Sequence, residues 1–252
     1  MQSNKFHYHN LGYWFLLFII LVAAGFYTTY FTRIFEPAPA IIHIHFVLMA
    51  LWLMMLIAQP FLIKYKKLKW HRLLGKASYL LVPLILLTAF LLIRNEYYRN
   101  LETLNLEAAT GLKQYTAAEI LKRAAATPIG LFYFVWFGVF YFLAIRNRRQ
   151  SPKHARYMLA TALTLTGPTV DRILGIQFNL NYIAGISSYV ISFLIIDIVL
   201  ALLLYLDYKH KKETKTLWTC LVIYITGQLL YFILPTFDWW SVFMKYILLP
   251  KP

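Results

Sequence analysis

Apolar residues fall along this chain in runs of about 18 to 25, separated by short basic segments. Such runs match the roughly 20 residues an α-helix needs to cross the hydrocarbon layer of a bilayer. They predict seven spans, at 11–31, 41–63, 74–93, 128–145, 155–173, 182–206 and 216–235. The predicted architecture is an all-α polytopic membrane protein in one transmembrane domain, residues 1–252. The 94–127 segment is the one long connection. Within it Thr116-Ala-Ala-Glu119 is a capping box opening a short helix from Ile120 to Ala126. Asn100 to Thr110 reads as another, stopped by Gly111. Both are predicted to lie at the interface. The tail from Asp238 to Leu249 reads as an interfacial helix capped by Asp238, with Trp239 and Trp240 at headgroup level.

Composition supports the membrane class. Hydrophobic residues make up 60% of the chain and charged residues 14%, against about 25% charged in an ordinary soluble domain. The net charge of +15 does not imply nucleic acid. With the N-terminus inside, sixteen of the 25 Lys and Arg residues fall on the inner side, which sets an N-in, C-out orientation. That places the protein in the cytoplasmic (inner) membrane, with anionic lipid headgroups as inner-side partners. Cys220 is alone, so there is no disulfide framework. Leu11 to Phe31 is too long for a cleavable leader.

Polar groups inside the runs are the candidate chemistry. His45, Trp52 and Gln59 recur every seven residues and share one stripe of the second span. His43, two residues before His45, points elsewhere. His71-Arg72-Leu73-Leu74-Gly75 opens the third span, and His154 with Arg156 opens the fifth. A weak internal repeat links them: Trp52 precedes His71 by 19 residues, and Trp136 precedes His154 by 18. If real, spans two to five form a four-helix core with the other three around it. A histidine at a helix N-terminus, flanked by Lys and Arg, suits an anion such as a phosphate or a haem propionate. A facing pair could instead ligate a metal, or both could simply touch lipid phosphates. From His45 to Ile63 is about 27 Å of helix, so His45 is expected near the outer face, away from the other two. Asp171 and Arg172 end the fifth span and are expected to pair. Asp197 lies deep in span six and Gln228 in span seven; an intramembrane carboxylate suits proton relay or cation coupling, or bonds to another helix. No phosphate-binding Gly loop, Gly-x-Ser-x-Gly or His-Glu-x-x-His occurs.

His45, Trp52, Gln59, His71-Arg72-Leu73-Leu74-Gly75 and His154 to Met158 together resemble a family of uncharacterised bacterial multi-pass membrane proteins. More distantly, the four-helix core is similar to cytochrome b561 and ferric-reductase-like proteins, which hold haem b between histidines. The resemblance covers spans two to five. It implies the topology; the leading expectation for the site is haem b or a transition metal, with His71 and His154 as ligands or propionate-side contacts, Arg72 and Arg156 beside them in the cofactor site, and His45 as a second, outer site. The expected role is electron transfer or redox-enzyme assembly. Two alternatives stand beside it. One is a non-redox transporter or lipid-interacting protein using Asp197, Gln228 and the inner His/Arg collar. The other is a structural subunit with a membrane protein partner.

Overall fold

The computed structural model describes residues 11–126 and 129–248. The described chain is all-α apart from one short hairpin. The helices are α1 (Leu11–Phe26), α2 (Ala40–Lys64), α3 (Leu68–Ala109), α4 (Ala117–Ala126), α5 (Gly130–Arg146), α6 (Ser151–Leu163), α7 (Thr166–Asp171), α8 (Ser188–Lys209), α9 (Lys215–Ile233) and α10 (Asp238–Ile247). The two-residue strands β1 (Tyr182–Ile183) and β2 (Ile186–Ser187) pair antiparallel, turning at Gly185, whose φ is +81°. Four helical stretches are long and apolar enough to cross a membrane: α2, α3, α8 and α9 continued to Thr236. The apolar helices α1 and α5, with 16 and 17 residues, are shorter.

Three sequence expectations change. First, span three and the Asn100–Thr110 segment are one helix, α3, of 42 residues. At 1.5 Å per residue it is about 63 Å long, roughly twice a hydrocarbon layer. Nothing between Arg94 and Ala109 breaks a helix, and Gly111, with φ +70°, follows its end. Second, span five is broken into α6, α7 and a π-helical turn at Arg172–Gln177. Pro168 has no N–H to bond the carbonyl four residues earlier, and α6 is capped there, at Thr164. Third, residues 182–187, expected to begin span six, form the hairpin; the helix starts at Ser188.

Aromatic rings fill the centre of the bundle. Trp52, Phe140 and Tyr224 are fully buried, and Trp136 nearly so. Trp52 packs edge-on against Phe137 with centroids 5.3 Å apart, and Trp136 meets Tyr224 at 5.0 Å. The Trp136 indole N–H donates to the Ile223 carbonyl at 3.2 Å, and the Tyr224 hydroxyl donates to the Ala160 carbonyl at 2.7 Å. These bonds fix ring orientation across α5, α6 and α9. Gly227 leaves room for the indole: a Cβ there would run into the Trp136 ring. Gly227→Ala is therefore expected to lower stability by about 1–3 kcal/mol, the usual cost of overpacking, read as a lower melting temperature in detergent.

A second, smaller core forms a platform at one end of the bundle. The far half of α3 supplies Ile93 and Tyr97, α4 supplies Ala124 and Ala125, and α10 supplies Trp240 and Met244. The Trp240 indole donates to the Ala125 carbonyl at 3.1 Å. Asp238 does not cap α10, as its sequence suggested; it lies in the first turn and pairs with Lys122 at 3.1 Å. The Thr116–Glu119 capping box does form. The Thr116 N–H donates to the Glu119 carboxylate at 2.8 Å and the Glu119 N–H donates to the Thr116 hydroxyl at 3.2 Å. These bonds hold the Glu119 carboxyl below its usual range, the backbone bond from Thr116 contributing most. A depressed folded pKa contributes stability that is present above the ordinary carboxylate range and is lost as pH falls through the folded value. Carboxylate titration by NMR is expected to show Glu119 below an ordinary glutamate, and Thr116→Ala, which removes the hydroxyl bond but keeps the backbone N–H, to move it only part of the way back.

Candidate functional site

The opposite end of the bundle carries the α2–α3, α5–α6 and α8–α9 turns and most of the basic residues. Here a cavity of about 820 Å³ opens between α2, α3, α5 and α6. His71 and His154 both line it. Each is the fourth residue of its helix, and each N–H bonds the carbonyl just before that helix: His71 to Lys67 at 3.1 Å, His154 to Gln150 at 3.0 Å. The two histidines thus hold matching positions in their helices. Met55, Leu56, Met158 and Phe15 give the cavity an apolar body, and Arg72, Lys76, Arg148 and Lys212 stand among its basic lining.

The two imidazoles are prepared differently. His154 Nδ1 lies 2.9 Å from the Ala144 carbonyl, which can only accept, so Nδ1 carries the proton. In the neutral ring Nε2 then has the lone pair, the arrangement found in metal-ligating histidines, whose other nitrogen donates to a carbonyl or carboxylate. His71 Nδ1 is buried without a hydrogen-bond partner among the described residues. Gln59, at the base of the Trp52 stripe, donates its amide to the His71 carbonyl at 3.2 Å, while its own side-chain oxygen is buried and has no partner among the described residues. A buried polar atom left unpaired costs about 1–3 kcal/mol. Two such atoms beside one cavity suit an occupant that bonds them.

Arg156 also lines the cavity, but its guanidinium is committed elsewhere. Its Nε and Nη2 donate to Asp207 Oδ2 at 2.8 and 2.6 Å, and Nη1 donates to the Pro152 carbonyl at 3.0 Å. Glu213 lies 3.9 Å away. Arg156 is 1% exposed and Asp207 2%. Rather than a cofactor contact, Arg156 is the tie between α6 and α8. Sequence reading missed Asp207, which sits in an ordinary Tyr-Leu-Asp-Tyr-Lys stretch 51 residues from its partner and carries no local signal. Arg72 differs: it is exposed, and its Nε donates to the Leu68 carbonyl at 3.3 Å, which orients the fork.

The other candidates lie away from this cavity. His45 Nδ1 is 2.8 Å from the Thr88 hydroxyl. Thr88 can give its own proton to the Leu84 or Ile85 carbonyl, at 2.9 and 3.0 Å, so His45 is the donor. His43 instead meets the Tyr30 hydroxyl at 3.1 Å. Asp171 and Arg172 do not bridge each other among the described residues. Asp171 accepts from Ser192 at 2.6 Å, and Arg172 donates to the Pro168 carbonyl at 2.8 Å while lying over the Phe26 ring. Asp197 and Gln228, singled out separately in the sequence, are brought together: the amide donates to the carboxylate at 3.1 Å, joining α8 to α9.

No set of three or more His, Cys, Asp or Glu side chains able to hold a metal ion occurs among the described residues. Bare-metal coordination by His45, His71 and His154 together is not assembled, since His45 is not among the residues lining the cavity that holds the other two. No family model matches this sequence, and neither a curated protein nor a solved structure does.

Proposed function

We propose that this chain crosses the cytoplasmic membrane seven times, with the basic end inside, and that its inner cavity binds haem b. The role is electron transfer or assembly of a redox enzyme. One observation carries the reading: two histidines from equivalent helix starts line a single apolar cavity with a basic rim. Haem is flat, apolar and dianionic, and it asks of a protein an imidazole nitrogen, apolar walls and cations for its propionates. His154 Nε2 and the imidazole of His71 answer the first need. Arg148 and Lys212, on the cavity's other walls, answer the third. When bound, haem supplies one-electron exchange; the chain supplies position, dryness and charge. In this reading the hydrogen bond from His154 to Ala144 holds the ring and its tautomer, and Gln59 holds the backbone at His71. The seven spans would be the four long helices, α1, α5 and the broken α6–α7.

The test is stoichiometry. Protein purified from membranes is expected to contain about one iron and one b-type haem per chain, measured by elemental analysis and by the pyridine haemochrome assay. Iron-free protein from haem-replete cells would overturn the reading. A second reading rests on the Asp197–Gln228 bond, roughly midway along α8 and α9. An intramembrane carboxylate held by one amide is suited to proton or cation coupling in a transporter. Loss of a pH-dependent flux in Asp197→Asn, with no haem present, would favour it.

A further inference from the structure

The basic end holds fifteen of the chain's 25 Lys and Arg residues within the described segments, but only two of its ten carboxylates, Asp207 and Glu213. Asp207 is spent on Arg156. Glu213 lies beside Arg156 and also accepts from the Thr216 N–H and hydroxyl at 2.8 Å. Among the described residues no carboxylate is left at this end for Lys69, Arg72 and Lys76. The basic charge is not spread evenly. Lys69, Arg72, Leu73 and Lys76 fall at i, i+3, i+4 and i+7 of α3, one face of the helix. These four alone line a groove of about 360 Å³. None of the three cations makes an ion pair among the described residues, and the Arg72 fork is turned by its bond to the Leu68 carbonyl. Beside them Trp70 is 56% exposed, the placement of an aromatic ring at a membrane boundary.

We infer that this face of α3 is a specific site for the phosphate head of an anionic phospholipid. Arg72 meets the phosphate with its planar fork, Lys69 and Lys76 flank it as point charges one turn to either side, and exposed Leu73 lies against the start of an acyl chain. A lipid, not free phosphate, is the occupant because the groove has an apolar member and opens where the apolar run of α3 begins, with Leu80 70% exposed one turn beyond Lys76. The groove adjoins the histidine cavity and shares Arg72 and Lys76 with its rim, whereas Lys69 and Leu73 line only the groove.

Lys69→Glu is the informative variant, because Lys69 touches neither histidine nor cavity. Lys153→Glu is its control, an equal charge reversal at the same end but outside both cavities. The purified full chain is placed in nanodiscs of phosphatidylcholine doped with phosphatidylglycerol, and lipid retention is read by native mass spectrometry. Each cation near an anionic surface contributes about 1 kcal/mol, so reversing Lys69 is expected to weaken phosphatidylglycerol retention about tenfold or more. Lys153→Glu is expected to change it less than twofold, and both variants keep the wild-type haem content. Equal losses in the two variants would overturn the proposal, since only a diffuse surface charge would then be acting. So would equal retention of phosphatidylglycerol and phosphatidylcholine by the wild type. Displacement of the lipid by millimolar inorganic phosphate would overturn the choice of a lipid over a free anion.

Discussion

Replacing Asp207 by Asn destabilises the protein by about 3–5 kcal/mol, the cost of leaving one member of a buried ion pair without its partner. The magnitude follows from burial. Arg156 is 1% exposed, and three of its guanidinium nitrogens are held, two of them by Asp207. Solvent cannot take over when the carboxylate goes. The loss should appear in thermal denaturation in detergent. Arg156→Met with Asp207→Leu is expected to recover most of it, because a well-packed apolar pair of similar volume is often as stable as a buried ion pair. A Asp207→Asn protein melting with the wild type would show that the pair contributes nothing, and α6 would need another anchor to α8.

The second large effect concerns the cavity. His154→Ala and His71→Ala are each expected to lower haem occupancy by at least tenfold, while His45→Ala, whose imidazole is satisfied by Thr88, leaves it within twofold. Loss of even an outer-sphere partner of a metal-ligating histidine commonly costs about 10- to 100-fold in affinity, so loss of the ring should cost no less. The variants separate the two imidazoles from the basic rim. Arg148→Gln should weaken binding but keep the spectral form, because it removes a propionate contact and no ring nitrogen. If His45→Ala alone empties the protein, the inner cavity is not the site.

How much of this could be read in the sequence depends on range. The helices α2, α8 and α9 were legible because each is a long apolar run with basic residues at one end. That His71 and His154 open corresponding helices was legible, since spacings of 19 and 18 residues from Trp52 and Trp136 put each near the start of a returning helix, and both prove to be the fourth residue. The Thr116–Glu119 cap was legible because its partners are three residues apart. Long-range choices were not. Arg156 looked like a ligand contact because its flanks are basic; only the fold brings Asp207 to it from 51 positions away. Asp197 and Gln228 were visible as polar residues in apolar helices, but their meeting depends on how α8 and α9 rotate. The break in span five was half legible: Pro168 was seen, while the π-helical turn beyond it depends on α7 packing against α1 and α8. The continuity of α3 was missed because polar residues after Arg94 look like the end of a span, although none of them ends a helix.

An absorption spectrum of the purified protein, air-oxidised and then reduced with dithionite, tests the central claim most directly. A haem held at His71 and His154 predicts a Soret band that shifts on reduction with sharpened visible bands, and the loss of both features in His71→Ala and His154→Ala. A featureless spectrum from protein purified with its native lipids would contradict the claim, and the cavity between the two histidines would then belong to a colourless anionic amphiphile.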